Sequence, residues 1–277
     1  MKKPMSRALR MPDPDLPDVE IDVSAIVTED DTPVDNLFSE KQQRLLTEPL
    51  YSNWTGLRDE RGRARKFLVA ANVGLFPAIN QPPLVPDVFL SLDVQVAEDW
   101  YSKNHRTYFF WEFGKPPEVV IEIVSNRRGH EASGKLRDYA RIGVPYYVIH
   151  DPMTLLGDEP LRMYERAGAV YKRLADQRLP EIGLGLKLWT GKFEGKKAAW
   201  LRWCDMRNHL IPTGAERAQR EAERTREAAR DAKREAERAR HESERARQES
   251  ERADAEKQRA DQLAARLRAM GVDPDQL

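Results

Sequence analysis

The chain has 277 residues, 46 Lys/Arg against 46 Asp/Glu, 40% hydrophobic residues and one cysteine. A lone cysteine excludes an intrachain disulfide and a thiolate-based zinc site, and no apolar run approaches the ~20 residues of a membrane span. The neutral total conceals three regions. Residues 1–36 carry 4 Lys/Arg against 9 Asp/Glu, residues 37–213 carry 26 against 21, and residues 214–277 carry 16 of each; the mildly basic middle suits a polyanionic partner without establishing one.

The opening "MKKPMSRALRMPDPD" is basic but has no apolar stretch behind it, so no signal peptide is expected. A reducing, cytoplasmic setting fits the single thiol. Residues 1–36, rich in Pro and Asp, are expected to be mostly disordered. "FSEKQQRLLTEPLY" reads as a helix stopped near Pro49. "KFLVAANVGLF", "LVPDVFLSLDV" and "EVVIEIVSN" read as strands, the last as the central one. "SGKLRDYARIG" is an amphipathic helix that places Leu136, Tyr139, Ala140 and Ile142 toward the core, with Gly143 as its stop. "VPYYVIHDP" is a strand, "LRMYERAGAVYKRLA" a hairpin turning at Ala-Gly, and "GLGLKLWTGKFEG" is expected to end the sheet. The mixture predicts an α/β or α+β core over about 37–210 with a mixed sheet.

From Ala218 small residues recur at alternating spacings of four and three, through Ala222, Thr225, Ala229 and Ala232 to Ala253. Glu–Arg pairs three apart fill the intervals, as in Glu221–Arg224 and Glu242–Arg245. This predicts a long charged helix over 214–270. Its seam is that of a coiled coil. Ala and Ser bury little area, so a homo-oligomer through the seam and a solvated single helix both stand.

Glu122 lies within the apolar run "VVIEIV", where an unpaired carboxylate is costly. Asp87 opens a strand 35 residues earlier, and Lys135 sits on the helix 13 residues later. Two carboxylates from neighbouring strands can share Mg²⁺, which keeps several waters and takes only one or two protein carboxylates. An ammonium beside them can orient water and offset phosphate charge. The plain alternative pairs Glu122 with Arg137 or Arg141. Arg127 and Arg128, in "SNRRGH", are either phosphate contacts or surface arginines.

The order "PD", then "E-x-x-S", resembles the PD-(D/E)XK nuclease superfamily, in which a lysine normally lies two residues after the second acid. Here that position holds Val124. "VPDVFLSLDV", "EVVIEIVSN", "GKLRDYARIGVPYYVIHDP" and "LRWCDMRNHLIPTGAERAQ" are similar to the Uma2 family of that superfamily, over about residues 28–277. The resemblance implies a restriction-endonuclease-like core with a long C-terminal helix. It implies a lysine relocated to the following helix, matched by Lys135, and Mg²⁺ or Mn²⁺ held by Asp87, Glu122 and the carbonyl of Ile123. An assisting acid on the first helix is matched by Glu40, with Glu48 as second choice. The implied activity is metal-dependent hydrolysis of DNA. A nuclease fold retained only for binding nucleic acid, or a scaffold acting through its helical tail, is the alternative.

Overall fold

The structure, a computed structural model, describes residues 36–125 and 134–270. The acidic segment expected to be disordered lies outside the described residues except for Asn36. In chain order the elements are α1 (Leu37–Asn53), β1 (Phe67–Ala71), β2 (Leu75–Phe76), β3 (Val88–Leu92), β4 (Tyr108–Phe109), α2 (Phe110–Phe113), β5 (Val119–Ile123), α3 (Gly134–Arg141), β6 (Tyr146–His150), β7 (Leu161–Ala167), β8 (Val170–Arg173), β9 (Arg178–Leu179), β10 (Leu184–Phe193), β11 (Lys196–Asp205) and α4 (Gly214–Ala269).

The main sheet runs β1-β3-β5-β6-β7-β8. Only β5 and β6 pair in parallel, joined through α3; the other neighbours are antiparallel. Every residue of β5 and β6 is buried, so these strands are apolar on both faces rather than alternating. On one face Val119, Ile121 and Val148 pack with Leu46 and Leu50 of α1 and with Leu184, Leu186, Leu201 and Trp203 of the β10–β11 hairpin. On the other face Val120, Val124, Tyr147 and Ile149 pack with Tyr139 of α3 and Tyr108 of β4. This is a restriction-endonuclease-like α/β core.

Four local features depart from the sequence reading. Helix α1 continues past Pro49 to Asn53. A proline there removes one helical hydrogen bond, typically at about 3 kcal/mol, but Pro49 and Leu50 are both buried, and the Trp54 N–H still reaches the Leu50 carbonyl at 3.1 Å. Tertiary packing overrides the local break. The strand expected over "KFLVAANVGLF" divides at Asn72, whose φ of 54° turns the chain out of the sheet. The hairpin of β7 and β8 turns at Gly168–Ala169, one residue later than expected, where Gly168 has φ 67°. Finally, β10 does not end the main sheet. It pairs with β9 and β11 in a separate three-stranded sheet that is bound to α1. There Trp203 Nε1 donates to the Leu46 carbonyl at 2.8 Å, and Gln42 bonds both the N–H and the C=O of Leu201.

At the sheet margin, the Tyr51 hydroxyl of α1 donates to the Val69 carbonyl at 3.0 Å and accepts from the Val69 N–H at 3.1 Å.

Helix α4 is the expected long helix, 56 residues in length. Its ion pairs include Arg217–Glu221 at 2.9 Å and Arg247–Glu251 at 2.8 Å, four apart rather than three. No helix among the described residues is long and apolar enough to cross a membrane.

The chain divides into two compact units, the first ending at Gly214. The Gly214 N–H donates to Glu48 Oε1 at 2.9 Å, and a Cβ at this position would lie 2.7 Å from that oxygen. Asn53 holds the Pro212 carbonyl at 2.8 Å. A chain ending at Gly214 is therefore expected to unfold in one cooperative transition, close in midpoint to that of the first unit in the full chain. Calorimetry checks this, and a broad transition without a defined midpoint would refute it.

Candidate active site

The ladder between β3 and β5 runs from Leu90–Val119 to Val88–Ile121 and then stops. Continued by one step, the register sets Asp87 opposite Glu122, and residues opposite one another in an antiparallel pair share a face. Pro86, next in line, has no N–H to give. In place of a backbone partner, the Ile123 N–H donates to Asp87 Oδ2 at 2.5 Å. The end of the ladder thus locks the Asp87 carboxylate against the C-terminal end of β5.

Glu122 is 1% exposed. Two groups from α3 meet its two oxygens: the Tyr139 hydroxyl donates to Oε1 at 2.7 Å, and Lys135 Nζ donates to Oε2 at 2.8 Å. They are four residues apart, so they rise from one face of the helix. Burial pushes the Glu122 carboxyl up to about 8; Lys135 opposes the rise, and the neighbouring charge of Asp87 adds to it. Burial and then the charge of Glu122 hold the Tyr139 hydroxyl well above its usual value, so it remains a donor. The expected alternative pairing with an arginine is not formed: Arg141 pairs with Asp138 at 3.3 Å, and Arg137 is exposed.

The Gln43 amide of α1 reaches Asp87 from the other side. Its Nε2 donates to Asp87 Oδ1 at 3.2 Å and to Asn72 Oδ1 at 3.3 Å, while Asn72 Nδ2 donates to Gln43 Oε1 at 3.2 Å. The Asn72 N–H also donates to the Asp87 carbonyl at 3.2 Å. Glu40 stands apart from this set. Glu40, Arg44 and Glu48 form the exposed stripe of α1. Glu40 pairs with Arg44 at 2.9 Å, and Glu48 accepts from Ser52 and Gly214. The first-helix side chain bonded to Asp87 is the Gln43 amide.

The arrangement therefore brings Asp87, Glu122 and Lys135 together at one end of the main sheet. Residues 7–183 match the family model described as "Uma2: Putative restriction endonuclease". The chain belongs to the Uma2 family. The matched span ends just before β10, so the β10–β11 hairpin and α4, which the sequence reading had included in the resemblance, fall outside it. Comparison with curated proteins gives no match.

In this Uma2 chain no group of three or more His, Cys, Asp or Glu among the described residues is placed to hold a metal. A site that demands three or four such ligands does not fit. A site for a hard cation that keeps several waters fits two carboxylates, and a buried carboxyl pushed up to about 8 is one that a cation would relieve. Arg127 and Arg128 lie outside the described residues.

Gln43, Asn72 and the polar role of Tyr139, a residue whose spacing points to the core, are additions from the structure. Gln43 carried a signal: it shares the i, i+3, i+7 stripe with Leu46 and Leu50, and an amide on an apolar stripe implies a buried partner. Tyr139 carried another, one turn beyond Lys135. Nothing in the local sequence marks Asn72.

Proposed function

We propose that this protein is an endonuclease that hydrolyses phosphodiester bonds of DNA with Mg²⁺ or Mn²⁺. The observation that carries the reading is the convergence of Asp87, Glu122 and Lys135 on one face at the end of the main sheet. Asp87 and Glu122 would hold the cation. Ile123 would add its carbonyl, since a strand residue sends its N–H and C=O to the same side and this N–H already faces Asp87. Such a cation supplies a more acidic water and neutralises charge on a phosphoryl oxygen.

The chain's own groups do the rest. The Ile123 N–H and the Gln43 amide fix the Asp87 carboxylate. Lys135, a third exposed, lies on the open side of Glu122. Its ammonium would donate to the attacking water oxygen and offset charge on the scissile phosphate. Water oxygen bonds to phosphorus and gives up a proton to solvent, while the phosphorus–oxygen bond to the sugar breaks and the departing oxygen takes up a proton from solvent. Arg127 and Arg128, in the sequence between β5 and α3, are the expected contacts to flanking phosphates.

Incubating supercoiled plasmid and single-stranded DNA with the full chain tests the reading. Nicked or linear products are expected with Mg²⁺ or Mn²⁺, and none with chelator or with Glu122→Ala. No cleavage of either DNA with either ion would overturn it.

A further inference from the structure

We infer that Tyr139 selects among divalent cations by restricting Glu122 to a single ligating oxygen. The inference rests on the reading of Asp87 and Glu122 as cation ligands and deepens it. Tyr139 is fully buried and holds Oε1. Lys135, a third exposed, holds Oε2. Oε1 therefore lies on the closed side of the carboxylate and Oε2 on the open side.

The hydroxyl is not free to swing away. Its ring lies 5.2 Å from that of Tyr147, which in turn lies 5.7 Å from that of Tyr171, a row of aromatic rings reaching from α3 to β8. For a cation to take both oxygens of Glu122, the carboxylate must turn both to the open side and break the bond to Tyr139. An ion that accepts one oxygen needs only Oε2, whose partner Lys135 is a third exposed and can turn toward solvent.

Cations differ in this demand. Ca²⁺ takes roughly six to eight oxygens at about 2.3–2.6 Å and readily uses a carboxylate through both oxygens. Mg²⁺ requires a tighter octahedron at about 2.0–2.1 Å and takes one oxygen from each ligand. The tyrosine hydroxyl thus disfavours Ca²⁺ without touching the ion. Tyr139 is a positioning residue, acting through Glu122.

Calorimetric titration of the full chain with Mg²⁺ and with Ca²⁺, for wild type and Tyr139→Phe, tests this. Phenylalanine keeps the ring and its neighbours and removes only the hydroxyl. The ratio of Ca²⁺ to Mg²⁺ affinity is expected to rise about ten-fold in the variant, the usual scale for loss of a group that orients a metal ligand. An unchanged ratio, with Mg²⁺ still bound, would overturn this inference and leave the metal reading standing. No Mg²⁺ binding by wild type would overturn both. Should the variant fail to fold, infrared difference spectra of the wild-type chain, labelled with ¹³C-carboxyl glutamate, decide the matter. The expected result at saturating Ca²⁺ is the wide separation of carboxylate stretches given by one-oxygen ligation, and the narrow separation of two-oxygen ligation would refute the inference.

Discussion

Mg²⁺ is expected to raise the melting temperature of the wild-type chain if Asp87 and Glu122 hold the cation as proposed, and Glu122→Gln is then expected to erase that rise and to lower cleavage about 10³-fold or more, the loss of several kcal/mol of charge stabilisation. A cation that binds only the native state stabilises it by mass action, about 2.7 kcal/mol at a hundred times its dissociation constant. That gain requires the Glu122 carboxylate. The same substitution has a second signature without metal. The folded Glu122 carboxyl sits at about 8 against an ordinary 4.5, so between those values the native state holds a proton that the unfolded chain has released. Its contribution to stability is complete below pH 4.5 and is lost as pH rises through 8, at about 1.4 kcal/mol per pH unit. His150 works in the opposite sense. Burial lowers it to about 4 from 6.5, so its contribution is lost as pH falls through 4 and is complete above 6.5. The two oppose each other between pH 4.5 and 6.5. Between 6.5 and 8 the loss from Glu122 is no longer opposed by His150, and there the chelator-treated wild type should lose more stability per pH unit than Glu122→Gln. Denaturant melts at pH 6.5, 7.3 and 8 would show it; equal slopes in the two proteins would refute the protonated, buried state.

Lys135→Ala is expected to separate binding from chemistry. Cleavage should fall about 10²–10³-fold, the scale for removing one donor aimed at developing charge. The Mg²⁺-induced rise in melting temperature should persist or grow, because the ammonium now occupying Glu122 Oε2 competes with the cation. Lys135 is a third exposed, so its truncation leaves no large cavity, and Tyr139 still partners Oε1. Loss of the Mg²⁺ shift would make the lysine a support of the carboxylate rather than a participant in hydrolysis.

Asp87, Glu122 and Lys135 were legible because each violates a local rule or keeps a strict order. A carboxylate among valines demands a partner, and an acid after a proline at a strand's start lies where a ladder stops. Gln43, Asn72 and Tyr139 were obscured because their partners are distant in sequence: 44 residues separate Gln43 from Asp87, and 17 separate Tyr139 from Glu122. Glu40 lies on the solvent side of its helix with Arg44 and Glu48, whereas Gln43 faces the core. The fold class was readable from alternating elements. The second sheet was not, because a buried strand's pattern reports burial and not which neighbour it pairs with. The extension of α1 past Pro49 was likewise hidden, since its burial against the sheet is a tertiary fact.

The Tyr51 hydroxyl has a consequence outside catalysis. A strand at a sheet's margin offers its unpaired N–H and C=O groups as a template for another chain, the usual first step toward aggregation. In β1 both groups of the central residue, Val69, are occupied by one hydroxyl from α1. An incoming strand would have to displace a side chain fixed to its own helix and stacked on Phe67 at 5.3 Å. Tyr51 therefore closes the middle of this margin to strand addition. That closure matters at high concentration, where the margins of separate copies meet, more than in the folding of one chain alone.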